Sequence, residues 1–199
     1  MNELSRAPKI RPTTQAAEGV PRLRWTLAEF EQLMETGILT EDDRVELIGG
    51  ELVPMSPKGN RHEVVRGALL NWLRRNLADE FDFHAEPGWR AGGVNYVEPD
   101  FLIGPAGCNP TSVSPSDVAL VVEIAHSSLR FDITSKASGY ASLGVREYWV
   151  INAETLTTRV HREPSAQGYG NVIETSPDDQ LTSLVVPSLV LKLVDLPLN

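Results

Sequence analysis

The sequence has one cysteine, no long apolar run and fewer bases than acids, and each shortage removes a class of protein. Cys108 alone cannot close an internal disulfide or complete a cysteine-based zinc cluster, so a disulfide scaffold is excluded and a reducing compartment is expected. No redox or papain-like motif surrounds it, and its plain reading is an inert loop thiol. No apolar stretch approaches the ~18 residues of a membrane span, and the segment from Met1 to Val20 has no apolar signal core. A soluble cytoplasmic protein is therefore the expectation. Eighteen Lys plus Arg against 27 Asp plus Glu leave a formal charge of −9. That field repels polyanions, so any action on nucleic acid must be local and metal-assisted. Several catalytic signatures are missing too. His62, His84, His126 and His161 form no H-E-x-x-H pair, there is no G-x-x-x-x-G-K-[ST] loop, and no serine sits in G-x-S-x-G. A zinc protease, a P-loop enzyme and a serine hydrolase of that type are not supported.

What is present fits one domain: 199 residues, 41% of them apolar, are enough for a sizeable core. Residues 1–21 mix Pro, Thr, Gln and charge and read as a flexible arm, with a single domain expected over 22–199. Thr26 and Glu29 form a capping-box pattern ahead of Leu27, Phe30 and Leu33 at helical spacing. Alternation over 44–48 and 51–55 around Gly49-Gly50 predicts a hairpin. A helix is predicted over 62–78, with Arg61, Arg66, Arg74 and Arg75 off its apolar stripe. Strands are expected at 81–86, 97–103, 118–125, 147–151 and 157–162, and a shorter helix over 132–143 ending at Gly144. This order describes a mixed α/β (α+β) domain with helices flanking a central sheet.

Two acids sit in the wrong company for solvated charge: Asp100 in Val97-Glu98-Pro99-Asp100-Phe101-Leu102-Ile103, and Glu123 in Leu120-Val121-Val122-Glu123-Ile124-Ala125. A buried carboxylate needs a cation, a metal or several donors, and two on adjacent strands can share one divalent ion. The plainer alternative is that each pairs with its own arginine or caps a turn. Asp132, Lys136 and Tyr140 recur every four residues, which puts them on one helix face. Lys136 is then either an exposed partner of Asp132 or a cation aimed at the end of the Glu123 strand, where it could position a water or offset charge on a phosphate. His62 is a helix-start surface residue or a proton carrier beside the acids. The four arginines are a solvated face or contacts to a nucleic-acid backbone. Trp72 and Trp149 read as core.

The run from Arg44 to Pro57, Arg44-Val45-Glu46-Leu47-Ile48-Gly49-Gly50-Glu51-Leu52-Val53-Pro54-Met55-Ser56-Pro57, followed by Arg61-His62, resembles the opening signature of the Uma family of restriction endonuclease-like proteins. Pro99-Asp100 supplies that family's middle element. Val121-Val122-Glu123-Ile124-Ala125, Ser127-Ser128-Leu129, Asp132, Lys136, Tyr140, Gly144-Val145 and Glu147-Tyr148-Trp149-Val150 follow its C-terminal half in order and spacing. The resemblance implies a PD-(D/E)XK nuclease core, a central mixed sheet flanked by helices, with an N-terminal helix and hairpin. It implies Asp100 and Glu123 as ligands of Mg²⁺ or Mn²⁺ together with the main-chain carbonyl of Ile124, and DNA as substrate. In the wider superfamily the lysine lies two residues after the glutamate, where this chain has Ala125, and the resembling family supplies it from the next helix as Lys136. Glu46, His62, Glu86 and Tyr140 are implied accessory residues, and a homodimer is the implied assembly. Three positions depart from the pattern: Gly49, His126 and Asn152 stand where Asp, an acid or Ser, and Asp are usual. The readings on this footing are a metal-dependent DNA endonuclease whose activity falls steeply with salt, a noncatalytic nuclease-like module that binds nucleic acid or a partner protein, and a hydrolase of small phosphorylated substrates.

Overall fold

The computed structural model describes residues 13–15 and 21–198; most of the expected 1–21 arm lies outside the described residues. Within it, β1 (Thr13–Gln15) pairs antiparallel with β2 (Pro21–Leu23). Helix α1 (Leu27–Glu35) starts where the sequence predicts. The Thr26 hydroxyl accepts from the Glu29 N–H at 3.2 Å, and the Glu29 carboxylate accepts from the Thr26 N–H at 3.0 Å. Strands β3 (Val45–Ile48) and β4 (Glu51–Pro54) form the expected hairpin, its turn built on Gly49 and Gly50 at φ +61° and +88°. Positive φ at both turn residues matches the twist of the flanking strands and suits glycine. Helix α2 (Asn60–Asn76) follows.

The central sheet has six strands: β5 (Phe81–Ala85), β8 (Phe101–Pro105), β9 (Leu120–Ala125), β10 (Glu147–Asn152), β11 (Thr158–Ser165) and β12 (Gly168–Thr175). They lie in the order β12-β11-β10-β9-β8-β5, and only β9 and β10 run parallel. Between β9 and β10 the chain crosses over through one helical run, 129–143. This run begins as α3 (Leu129–Phe131), widens to a π-helical turn at Asp132–Lys136, and ends as α4 (Ala137–Leu143). Gly144, at φ +82°, caps it as expected. A four-stranded sheet, β4-β3-β7-β6, adds β6 (Trp89–Gly92) and β7 (Asn95–Val97). Short strands β13 (Leu181–Thr182) and β14 (Val190–Leu191) close the C-terminal segment.

Period-two alternation sorts the central strands onto two cores. Leu120, Val122 and Ile124 of β9, with Phe101, Ile103, Trp149 and Ile151, pack beneath α2 and the C-terminal segment. Val121 and Ala125, with Leu102, Tyr148 and Val150, face Tyr140 of α4 and Trp89 of β6. Glu123 falls by the same alternation on this second face. Every residue of β9 is buried, as its unbroken apolar run predicts.

Two expectations are corrected. The single strand expected over 97–103 is two strands in different sheets, β7 beside β3 and β6, and β8 beside β5 and β9. Pro99, between them, has no N–H to donate to a ladder, so the pairing stops there and the chain changes sheets. The sequence reading also passed over β6 and β12. β6 is only four residues long, and β12 contains Gly168, Gly170 and Asn171, a composition that reads as loop.

Candidate active site

The sheet change at Pro99 delivers Asp100 to the head of β8. The antiparallel register pairs Phe101 with Val122 and Leu102 with Val121, and continued by one residue it brings Asp100 opposite Glu123. Asp100 Oδ2 accepts a 2.7 Å hydrogen bond from the Ile124 N–H, and His62, in the first turn of α2, places Nε2 3.0 Å from Asp100 Oδ1. Lys58 Nζ lies 3.9 Å from the same oxygen. On the neighbouring strand, Glu123 Oε1 is 2.8 Å from Lys136 Nζ and accepts from the Tyr140 hydroxyl at 3.2 Å. Lys136 Nζ also meets Glu46 Oε1 at 3.0 Å, and that oxygen accepts the Glu98 N–H at 2.8 Å. Asp132 accepts from the Ser128 hydroxyl at 2.5 Å.

Asp100, Glu123 and Lys136 thus line one cleft of about 250 Å³, together with Glu46, His62, Ile124 and Asp132. Lys136 is 7% exposed, which removes the reading of an exposed Asp132–Lys136 pair. The acids do not pair with separate arginines either; their partners are Lys136, His62 and main-chain or tyrosine donors. Burial pushes the Glu123 carboxyl well above the usual carboxylate range, Lys136 pulling against it and the other acids reinforcing it. Burial likewise raises Asp132. For Lys136, burial favours the neutral amine, but Glu123 and Glu46 outweigh it and hold the ammonium charged far into alkali. Burial next to Glu123 raises the Tyr140 hydroxyl too, so it remains a donor.

Among the described residues, no three His, Cys, Asp or Glu side chains converge as a ready metal cage. What the cleft offers is two carboxylates on adjacent strands, the Ile124 main chain between them, and an excess of buried negative charge. Hard oxygens of this kind suit Mg²⁺ or Mn²⁺ far better than a thiophilic ion.

The remaining expected residues are scattered. Glu86, in the left-handed region at φ +52°, pairs with Lys58 and lies 3.4 Å from Arg66 Nη1; Lys58 lines the cleft and Glu86 does not. Arg66 is also bound to Glu63 at 2.6 Å, and Arg61 Nε donates to the Ala153 carbonyl at 3.0 Å. Arg74 and Arg75 are exposed near the far end of α2, some ~18 Å along the axis from His62. The four arginines therefore do not form one patch. His126 lines the cleft and pairs with Glu154 at 3.0 Å. Sequence reasoning missed Lys58, whose only signal was a lysine in the Ser56-Pro57-Lys58-Gly59 loop just before α2. It also read Asp132 only as a register mark for Lys136 or as its exposed partner, not as a buried acid of the cleft.

Residues 27–195 match the model of a family described as "Uma2: Putative restriction endonuclease". The chain belongs to the Uma2 family. Its fold is similar to the crystal structure of "a putative nuclease belonging to DUF820" from Anabaena variabilis ATCC 29413. The TM-score is 0.62 at 17% identity, covering 85% of this chain and 96% of that one. At that identity the likeness concerns the fold, a mixed sheet flanked by few helices consistent with a restriction endonuclease-like core. No curated protein matches the chain. No helix among the described residues is long and apolar enough to cross a membrane.

Proposed function

We propose that this Uma2 protein is a cytoplasmic, homodimeric, Mg²⁺- or Mn²⁺-dependent endonuclease that hydrolyses phosphodiester bonds in DNA. The observation that carries the reading is the convergence of Asp100, Glu123 and Lys136 on one cleft from three separate elements. Asp100 and Glu123, with the Ile124 main-chain carbonyl, would hold the ion. A bound divalent ion supplies Lewis-acid polarisation of the phosphate and a more acidic water.

The chain's own groups account for the rest. Hydrolysis forms a bond from the water oxygen to phosphorus, breaks the bond to one ester oxygen, and returns a proton to that leaving oxygen. Lys136 orients the water and offsets charge growing on the phosphate oxygens. Glu46 positions Lys136 from the side opposite Glu123. Tyr140 fixes the Glu123 carboxylate, and His62 fixes Asp100.

A second reading has a specific observation behind it: each acid already has a partner in the protein, Lys136 for Glu123 and Glu46, His62 for Asp100. Such closed pairing also suits a noncatalytic nuclease-like module that binds nucleic acid or a partner protein. Nicking of supercoiled plasmid in Mg²⁺ or Mn²⁺ separates the two. The wild type should relax the plasmid, and Asp100→Asn should lose about 100-fold or more in rate. A variant that nicks as fast as wild type overturns the site assignment. Folded wild type that neither nicks nor takes up Mn²⁺ in calorimetry favours the module.

A further inference from the structure

Beside the catalytic cleft lies a second cavity, of about 490 Å³, between α1 and the four-stranded sheet. Its size falls within the range of sites that enclose small ligands. Tyr96 and Phe30 line it, their ring centroids 5.1 Å apart. The Arg90 guanidinium sits 5.9 Å from the Tyr96 centroid and is tied to Glu31 at 2.5 Å. Phe30 is buried, so the half-buried Tyr96 ring and the exposed Arg90 guanidinium are the flat groups left for a planar heterocycle to stack on.

The charge in the cavity decides which end of a nucleotide it admits. Glu31, Glu35, Glu41 and Glu98 line it against Arg44 and Arg90. The carboxylate excess repels phosphate and accepts hydrogen bonds from amines. Glu98 Oε1 accepts from the Tyr96 hydroxyl at 3.2 Å, which steadies the carboxylate, and Glu98 Oε2 has no hydrogen-bond partner among the described residues. A carboxylate acceptor pairs with the exocyclic amine of a base such as cytosine, whereas an unpaired thymine offers it only the ring N3–H, flanked by two carbonyl oxygens that a carboxylate repels.

Arg44 joins the two spaces, because it lines both this cavity and the catalytic cleft. Its backbone is held at φ +47°, an unusual conformation for a side-chain-bearing residue. Its N–H donates to the Glu41 carbonyl at 3.3 Å, and its carbonyl accepts from the Met55 N–H at 2.8 Å. The guanidinium reaches Met55 Sδ at 3.7 Å and makes no ion pair among the described residues. A fixed backbone thus presents an unpaired cation at the junction between a site suited to phosphate chemistry and a cavity suited to a base.

We propose that this cavity is a subsite for one unpaired, amine-bearing nucleobase of the substrate strand, with Arg44 binding the phosphate between that base and the cleft. The proposal rests on the nuclease reading for its substrate, and its test does not need cleavage. Fluorescein-labelled dC and dT octamers are titrated with the full chain, without divalent metal, and followed by anisotropy. Wild type should bind the dC strand at least about fivefold more tightly than the dT strand, and Tyr96→Ala should weaken dC binding by about fivefold or more. Glu98→Met, which keeps the Tyr96–Phe30 packing, should bring the dC/dT ratio close to one. Equal binding of the two strands by wild type, or an unchanged ratio in Glu98→Met, overturns the subsite. If plasmid nicking is absent while the ratio holds, the nuclease reading fails and the subsite stands. If nicking depends on Asp100 and the ratio is one, the subsite fails alone.

Discussion

Lys136 is one cation among four buried carboxylates, Glu46, Asp100, Glu123 and Asp132, and that imbalance governs what each of them does. Burial and mutual repulsion hold Glu123 and Asp132 above their ordinary range, so the metal-free protein keeps protons there longer than the unfolded chain does. The sign follows. For these two groups, stability is fullest below the unfolded carboxylate pKa near ~4 and falls as pH rises through the raised folded values. A divalent ion held by Asp100 and Glu123, as proposed, would replace those protons. The thermal stabilisation given by Mg²⁺ should therefore grow as pH rises above the ordinary carboxylate range, and the ion should release protons as it binds. Scanning calorimetry with and without Mg²⁺ checks this, and a shift that shrinks with pH would contradict it. Removing the cation leaves Glu123 and Glu46 uncompensated. Lys136→Ala should cost about 3–5 kcal/mol in urea denaturation, and adding Glu123→Gln should recover part of the loss. At this scale the sequence was most legible where polarity clashed with context. Asp100 and Glu123 stand out because apolar neighbours surround them, and Lys136 because of its register with Tyr140. Lys58 and Arg44 carry no such signal, since a cation in a loop reads as solvated until the fold turns it toward a cleft.

The elements place these side chains through two interruptions of regular structure. Pro99 ends one ladder and lets Asp100 begin another, so the strand break itself sets the carboxylate opposite Glu123. The widened turn at Asp132–Lys136 lies inside the crossover helix and carries both a buried acid and the buried lysine. Wide turns inside α-helices recur at functional sites. Gly144 closes that helix in the left-handed region, with its N–H donating to the Ala141 carbonyl at 3.0 Å. Gly144→Ala should cost about 1 kcal/mol in chemical denaturation, with no steric clash to add because open space surrounds the position. Neither interruption was legible as such. Alternation carried straight through Pro99 at the level of pattern, and a π turn differs from an α turn by one residue that periodicity does not register. The hairpin, the capping box and the buried β9 were legible because each depends on local chemistry alone.

Across the whole molecule, a formal charge of −9 sets how a polyanion is met. The structure tempers the expectation of a steep salt dependence. Arg66 is tied to Glu63 and Glu86, Arg61 to a carbonyl, and Lys58 to Glu86, while Arg74 and Arg75 stand at the far end of α2. Few cations at the cleft remain to displace counterions. Since each neutralised phosphate contributes about −0.9 to the slope of log K against log salt, a duplex-binding titration should give a slope no steeper than about −3. A slope near −8 would mean a basic surface that the described residues do not show. The field that matters is then local, and a divalent ion between Asp100 and Glu123 would reverse its sign where phosphate arrives. The most direct test is an anomalous-difference map from crystals of the protein soaked in Mn²⁺. We expect one strong peak within coordination distance of Asp100 and Glu123 oxygens in wild type, absent in Asp100→Asn. No peak in the cleft at saturating Mn²⁺, or a peak that survives the substitution unchanged, would contradict the metal-dependent site.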